Sequence, residues 1–380
     1  MFRSVCSILG LLGCASTIAL PASAQGGPAS VITAPGMGNT NGIDYGNAQP
    51  MPLPNSGVAP PSLLEVLLSN QAASNGTELP SVSPGRKGNG HLRQVKLAPA
   101  KILEESGGVQ SEEFGTSGHP FTTSRANLFG QQNSRFYPYV AAGKLFFNIG
   151  TSTYVCSASL IKRGLVVTAA HCVASFGASK YYTNWRFVPG YDNGTAPFGT
   201  WTVASARVMV SYFNGTDSCA VRGIICTNDV AVLTVNPQAG VYPGSRTGYL
   251  GYAVNGYSYN SSGQALITQL GYPKALDGGE LMQRTNSQGY TASTSSNNTI
   301  IGSLQTGGSS GGPWVVNLGM APSLNGTSFG TAAVHNIVVG VTSWGYTSTT
   351  MKQQGASPFT SANIGLLVAS ACVAVPAACS

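Results

Sequence analysis

Thr306-Gly307-Gly308-Ser309-Ser310-Gly311-Gly312-Pro313-Trp314 sets two adjacent serines between two pairs of glycines. Glycine loses more backbone freedom on folding than any other residue, so four of them in one short stretch are costly unless the chain needs turns that only glycine allows. Such a loop can aim backbone N–H groups at one point, where an oxyanion would form. Either serine is then a candidate nucleophile. The sequence around the loop has one texture. From about Tyr137 onward, short runs of Val, Ile, Tyr, Phe and Thr alternate with Gly, Asn and Ser turns, as in Lys144–Ile149, Tyr154–Ile161 and Val338–Val341. Many short strands with frequent turns predict an all-β sandwich or barrel. One helix is expected near the end, with Asn363 capping Ile364–Cys372.

The first residues read differently. Met1-Phe2-Arg3 carries one positive charge, a largely apolar run follows from Val5 to Leu20, and Ala22-Ser23-Ala24 offers a small-residue cleavage site before Gln25. That is the pattern of a secretory signal peptide over residues 1–24. The apolar run is too short for a membrane anchor, and no other long apolar span follows, so no membrane association is expected once the signal is removed. A lipoprotein signal ending at Cys14 would leave a very short apolar core and a bulky Leu12 beside the site. Residues 25–125 are expected to be propeptide-like and poorly ordered. Gln25 to about Pro61 is rich in Gly, Pro, Asn and Ala without a hydrophobic period. Ser62–Leu68 is a short helical pattern, with Ser62 and Glu65 forming a capping box. Residues 126–380 would be the folded domain.

Charge is sparse, at 8% of residues, with a net charge of +7 carried mainly after Ala126. The basic residues are scattered singly, without a Lys/Arg run or an aromatic–basic stripe, so nucleic acid is not an expected partner. Export permits disulfides. Beyond Cys6 and Cys14 of the leader, the cysteines are Cys156, Cys172, Cys219, Cys226, Cys372 and Cys379. Six cysteines allow 15 connectivities, and the spacing suggests three local pairs in chain order. A metal site is the poorer reading, because no C-x-x-C occurs and only four histidines are present.

Two further segments carry candidate chemistry. Val166-Val167-Thr168-Ala169-Ala170-His171-Cys172 runs an apolar strand into small residues and then His-Cys. Asn228-Asp229-Val230-Ala231-Val232-Leu233 places an aspartate at the head of an apolar strand. Each alone is more often structural. Together with the glycine loop they supply His, Asp and Ser. A serine hydroxyl is a weak nucleophile at neutral pH and needs a base within hydrogen-bond reach, which in turn needs an orienting carboxylate.

The TAAHC around His171, the NDVAVL around Asp229 and the GxSGGP around Ser310 resemble the corresponding segments of the chymotrypsin-like serine peptidases. Ser343-Trp344-Gly345 resembles that family's substrate-binding strand. Gly271-Tyr272-Pro273 and the uncharged residue before Ser310 lean toward the bacterial branch related to glutamyl endopeptidases. The resemblance spans about Tyr137 to Leu367. It implies two Greek-key β-barrels of the chymotrypsin type, with His171 and Asp229 on the first and Ser310 on the second. It also implies that Ser310, directly before Gly-Gly-Pro, is the nucleophile, and that the Gly308 and Ser310 N–H groups form the oxyanion hole. Ser309 falls where animal digestive members carry an aspartate that pairs with a newly made N-terminus. A serine cannot make that ion pair, so maturation is expected to differ, by a propeptide that blocks the cleft or assists folding. Candidate junctions are Arg125/Ala126, the favoured one, and Arg135/Phe136.

The resemblance further implies a Cys156–Cys172 disulfide. Cys219–Cys226 and Cys372–Cys379 rest on proximity in sequence alone. The pocket floor is expected at Leu304, with Gln305 beside it. Ser343, Trp344 and Gly345 would line the substrate, and Phe359 would narrow the opposite wall. None of these is charged, so an uncharged pocket for small or medium neutral side chains is expected. The expected activity is that of a secreted, monomeric serine endopeptidase made as a zymogen, extracellular or periplasmic, acting on proteins or peptides through an acyl-enzyme without metal or organic cofactor. The alternative is an inactive secreted binding module on the same fold. An α/β-hydrolase-type esterase is excluded by order, since that class places its acid and histidine after the serine. His335 follows Ser310, but no Asp or Glu does.

Overall fold

In the computed structural model the described residues are 30–38, 42–54, 79–90, 95–97, 120–128, 130–217, 227–260, 263–291, 299–319, 334–345 and 352–380. The signal segment, the Ser62–Leu68 pattern, Cys219 and Cys226 lie outside them.

Six strands form a first closed sheet: Ala142–Ile149, Ser152–Leu160, Leu165–Thr168, Thr183–Pro189, Trp201–Met209 and Ala231–Val235. The first three meander. The fourth returns beside the first, the fifth pairs the fourth, and the sixth pairs both the fifth and the third. A second set repeats this connectivity with Gln264–Gly271, Gln283–Thr291, Thr299–Gly302, Pro313–Val316, Ile337–Gly345 and Gln353–Pro358. The molecule is therefore an all-β pair of six-stranded Greek-key barrels.

Side chains along a strand point alternately to its two faces. In Ala142–Ile149 that alternation sorts two cores. Leu145 and Phe147 fill the first barrel. Ala142 and Phe146 point the other way and join Val188, Tyr191, Leu270, Tyr272 and Met282, residues of both barrels, in a cluster between them. With both faces covered, the strand reads as a continuous buried run rather than as apolar–polar alternation. The second barrel closes over Ile267, Ile301, Trp314, Val339 and Ala356. A buried ion pair also spans the two barrels, Lys144 Nζ to Glu280 Oε1 at 2.8 Å.

The C-terminal helix differs from its expected start. A wide turn over Ser361–Gly365 leads into an α-helix over Leu366–Ala374. The cap is Thr360, not Asn363. The Thr360 hydroxyl accepts from the Asn363 N–H, while the Asn363 side chain accepts from the Thr360 N–H, which satisfies two otherwise unpaired donors. Leu367, Val368 and Ala371 bury this helix in the main core. Disulfides join Cys156 to Cys172 and Cys372 to Cys379. Among the described residues no helix is long and apolar enough to cross a membrane.

The segment expected to be poorly ordered is tied to the barrels wherever it is described. Val31–Pro35 pairs Trp201–Met209, Ser81–Ser83 pairs Gly251–Val254, and Phe121–Arg125 pairs Gln283–Thr291. Gln49–Pro50 runs parallel to Tyr154–Val155. The physical reason is that long barrel strands overhang a neighbour, as Gln283–Ser287 does beyond the pairing of Tyr290–Thr291 with Thr299–Ile300, and the N–H and C=O groups of such a stretch accept an extended segment.

Candidate active site

Strands Leu165–Thr168 and Ala231–Val235 pair antiparallel with Thr168 opposite Ala231. The residues just beyond the end of one strand and just before the start of the other are therefore neighbours. His171 sits on the single turn Ala170–Cys172, and Asp229 on the approach to Ala231. The Asp229 carboxylate takes two hydrogen bonds from this one histidine, from its backbone N–H at 2.9 Å and its Nδ1 at 2.8 Å. A carboxylate only accepts, so Nδ1 carries the proton and Nε2 of the neutral ring is left as an acceptor. Asp229 and His171 are both buried. Burial alone would raise the Asp229 carboxyl; electrostatic attraction to His171, the hydrogen bonds from its ring and backbone, and a further bond from Ser343 outweigh it and hold Asp229 below the ordinary carboxylate range.

That last bond was not foreseen from the sequence. Ser343 was expected only to line the substrate, yet its Oγ donates to Asp229 Oδ2 at 2.5 Å. It reaches from the second barrel to the histidine–aspartate pair of the first.

The glycine loop is fixed from the first barrel as well. Ser157 N–H donates to the Ser310 carbonyl at 2.8 Å, and Ser157 Oγ to the Gly308 carbonyl at 2.9 Å. The same hydroxyl accepts from Tyr272 N–H at 2.9 Å. Nothing in the sequence singled out Ser157. It follows the disulfide residue Cys156, and only the fold brings it against the loop. Two glycines of the loop have backbone shapes that other residues resist: φ is +93° at Gly308 and +75° at Gly311. A Cβ at Gly311 would also lie 1.9 Å from Thr168 Oγ1. Ser309 is buried and turned away, its Oγ donating to the Thr306 carbonyl at 2.7 Å. Ser310 Oγ and His171 Nε2 are both buried, and neither has a hydrogen-bond partner.

Cys156, His171 and Cys172 offer ligand atoms close together. The two sulfurs are bonded to each other, so they are not available as the thiolates a metal would need.

The expected pocket residues divide. Leu304 is half-buried. Gln305 is buried in an amide and hydroxyl network, its carbonyl accepting from Gln354 Nε2 at 2.6 Å and its Nε2 donating to Thr285 Oγ1 at 3.3 Å. Trp344 is buried and opposes Gly355 across the sheet. Phe359, expected to narrow the opposite wall, is buried. It lies in the main core, beyond the end of Gln353–Pro358. Two backbone donors, Gly308 N–H and Gly345 N–H, bond to carbonyls of Met51 and Pro54, each at 3.1 Å.

The family model described as Trypsin matches residues 129–363. No curated protein sequence matches the chain. Among solved structures, the thermostable serine protease AL20 from an extremophilic microorganism is similar with a TM-score of 0.50 and 23% identity, over 63% of this chain and 99% of that one. The protease Anisep of Arthrobacter nicotinovorans shows a TM-score of 0.48 and 26% identity over 63% of this chain and 96% of its own. A Glu endopeptidase shows 0.46 and 20% over 65% and 95%.

Proposed function

This chain belongs to the trypsin family of serine peptidases, and on that premise we propose that it is a secreted endopeptidase working through His171, Asp229 and Ser310. Ser310 Oγ attacks the peptide carbonyl while His171 Nε2 takes its proton. The bond between the carbonyl carbon and the leaving nitrogen then breaks, and His171 returns the proton to that nitrogen. Water, activated by the same base, releases the acyl group from Ser310. Asp229 holds the imidazole in the tautomer that leaves Nε2 free and stabilises it once charged. The Gly308 and Ser310 N–H groups receive the developing oxyanion. Ser343, Trp344 and Gly345 line the bound peptide, with Gly345 offering its backbone as a strand edge. The pocket floor is assigned to Leu304, with Gln305 beside it, and the absence of charge on both favours neutral side chains in the substrate. Secretion is supported by the leader pattern and by the two disulfides among the described residues.

The observation that carries this reading is the Asp229 carboxylate. It accepts from the His171 backbone, the His171 ring and Ser343, and so holds the imidazole in one orientation with Nε2 left as an acceptor. An inactive binding module has no use for that arrangement. The test is labelling with a fluorophosphonate, which reacts only with an activated serine. The reagent is expected to label Ser310 in the wild-type chain, to leave Ser310→Ala unlabelled and to label Ser309→Ala. Labelling lost in Ser309→Ala and kept in Ser310→Ala would reverse the choice of nucleophile. No labelling in either would leave the binding module standing.

A further inference from the structure

Six residues far upstream of the barrels, Gln49-Pro50-Met51-Pro52-Leu53-Pro54, lie across the seam that holds Ser310. Their attachment is by backbone. Met51 N–H donates to the Val155 carbonyl at 2.8 Å, on the first barrel. The Met51 carbonyl accepts from Gly308 N–H at 3.1 Å, and the Pro54 carbonyl accepts from Gly345 N–H at 3.1 Å, both on the second. Gln49–Pro50 also runs as a short parallel strand beside Tyr154–Val155. Side chains follow the same path. Met51 is half-buried against the main core. A Cβ at Gly307 would meet the Met51 carbonyl oxygen at 3.2 Å, one at Gly308 would meet Pro50 Cβ at 3.6 Å, and one at Gly345 would meet Leu53 Cδ1 at 3.1 Å. Ser310 has no exposed surface.

We propose that Gln49–Pro54 is a built-in peptide ligand of the active cleft, seated with the Met51 carbonyl on the Gly308 N–H and excluding other peptides until it is displaced. The inference rests on the assignment of Ser310 and Gly308 made above. The segment takes one of the two N–H groups assigned to the oxyanion and the Gly345 N–H assigned to substrate backbone. A second peptide cannot bond to donors already in use. The composition suits this role. Pro50, Pro52 and Pro54 alternate, which holds the chain extended and removes every second N–H. Three N–H groups remain, on Gln49, Met51 and Leu53; the Met51 N–H meets the Val155 carbonyl, and the Met51 and Pro54 carbonyls meet donors of the seam. The peptide bond after the seated carbonyl is to Pro52. Its nitrogen carries a ring carbon in place of hydrogen, which crowds the side from which a leaving nitrogen must be protonated. The segment also has its own anchor upstream. Tyr45 packs edge-on against Phe146, with ring centroids 4.9 Å apart, and Asp44 N–H donates to Thr153 Oγ1 at 3.1 Å. Tethering in the same chain gives such a ligand an effective concentration of about millimolar, so three backbone bonds and modest burial are enough to hold it.

The experiment uses the full chain, with intactness checked by mass. Wild type is compared with Met51→Asp, which puts a charge at a half-buried apolar position, and with a second variant in which residues 49–54 are replaced by six glycine and serine residues. The second variant removes the ligand without burying a charge, and so covers the case in which Met51→Asp does not fold. The readouts are hydrolysis of a quenched peptide library and fluorophosphonate labelling of Ser310. The intact wild-type chain is expected to be at least tenfold slower than the replaced chain in both. Equal rates for wild type and the replaced chain overturn the inference while leaving the peptidase assignment intact. Absence of hydrolysis and labelling in every chain overturns the assignment itself, and this inference falls with it.

Discussion

Ser343 is the residue whose role is sharpest in the structure and least visible in the sequence. Its hydroxyl gives Asp229 a hydrogen bond that no other residue on the second barrel provides among the described contacts. A bond to a charged group contributes about 1.5–3 kcal/mol. Ser343→Ala is therefore expected to lower kcat/KM by roughly ten- to a hundredfold, with KM changing little, while Ser343→Thr restores much of the loss. A large rise in KM at constant kcat would instead return Ser343 to a purely substrate-lining part. Asp229 itself makes a prediction about pH. Its folded-state pKa is depressed, so the carboxylate contributes stability that is fully present above its unfolded value of about 3.9. That stability is lost as pH falls through the lower folded value. Urea midpoints measured against pH should fall in that acid window for wild type and should be flatter there for Asp229→Asn, which lacks the contribution at every pH.

At the scale of elements, the glycine loop is the piece most tightly specified. Gly311→Ala would add a Cβ 1.9 Å from Thr168 Oγ1 at a residue with φ of +75°. Backbone strain of about 1–3 kcal/mol adds to the collision, and the loop must shift to relieve both. The expected outcome is loss of fluorophosphonate labelling in a chain that still gives a cooperative thermal transition at lower temperature. Unchanged labelling would show that the loop tolerates the shift. The loop's importance was legible beforehand, because glycine clusters signal backbone demands through composition alone. The strands of both barrels were legible for a similar reason: Val, Ile, Tyr, Phe and Thr runs mark them whatever packs on either face. Three features were not legible. Ser157 is one serine among many until the fold brings it against Gly308. Thr360 and Asn363 are both plausible caps, and the choice depends on where the chain leaves Gln353–Pro358. The upstream strands, such as Gln49–Pro50, are held through backbone groups at sheet edges, and a two-residue strand has no period to detect.

Across the whole molecule, the site exists only while the two barrels keep their registration, since His171 and Asp229 belong to one, and Ser310 and Ser343 to the other. The buried pair Lys144–Glu280 fixes that registration. Lys144 lies on the first strand of the first barrel, and its ammonium sits 4.2 Å from the Tyr191 ring centroid. Glu280 lies on the loop before Gln283–Thr291 of the second barrel and also accepts from the Tyr191 hydroxyl. Burial lowers the proton affinity of Lys144, and the Glu280 charge works against that shift. Removing the acid leaves a buried ammonium without its counter-charge, a change that costs about 3–5 kcal/mol. Glu280→Ala should show that loss in urea unfolding at neutral pH. The loss should then shrink as pH rises toward about 10.4, the unfolded lysine value. In that range the folded chain holds Lys144 neutral while the unfolded chain still binds the proton, so stability rises with pH. The double variant Lys144→Met, Glu280→Ala carries no buried charge and should recover most of the stability at neutral pH. A Glu280→Ala deficit that is independent of pH, and that the double variant does not relieve, would mean that Glu280 acts through the Tyr191 hydroxyl and local packing rather than through the charge of Lys144.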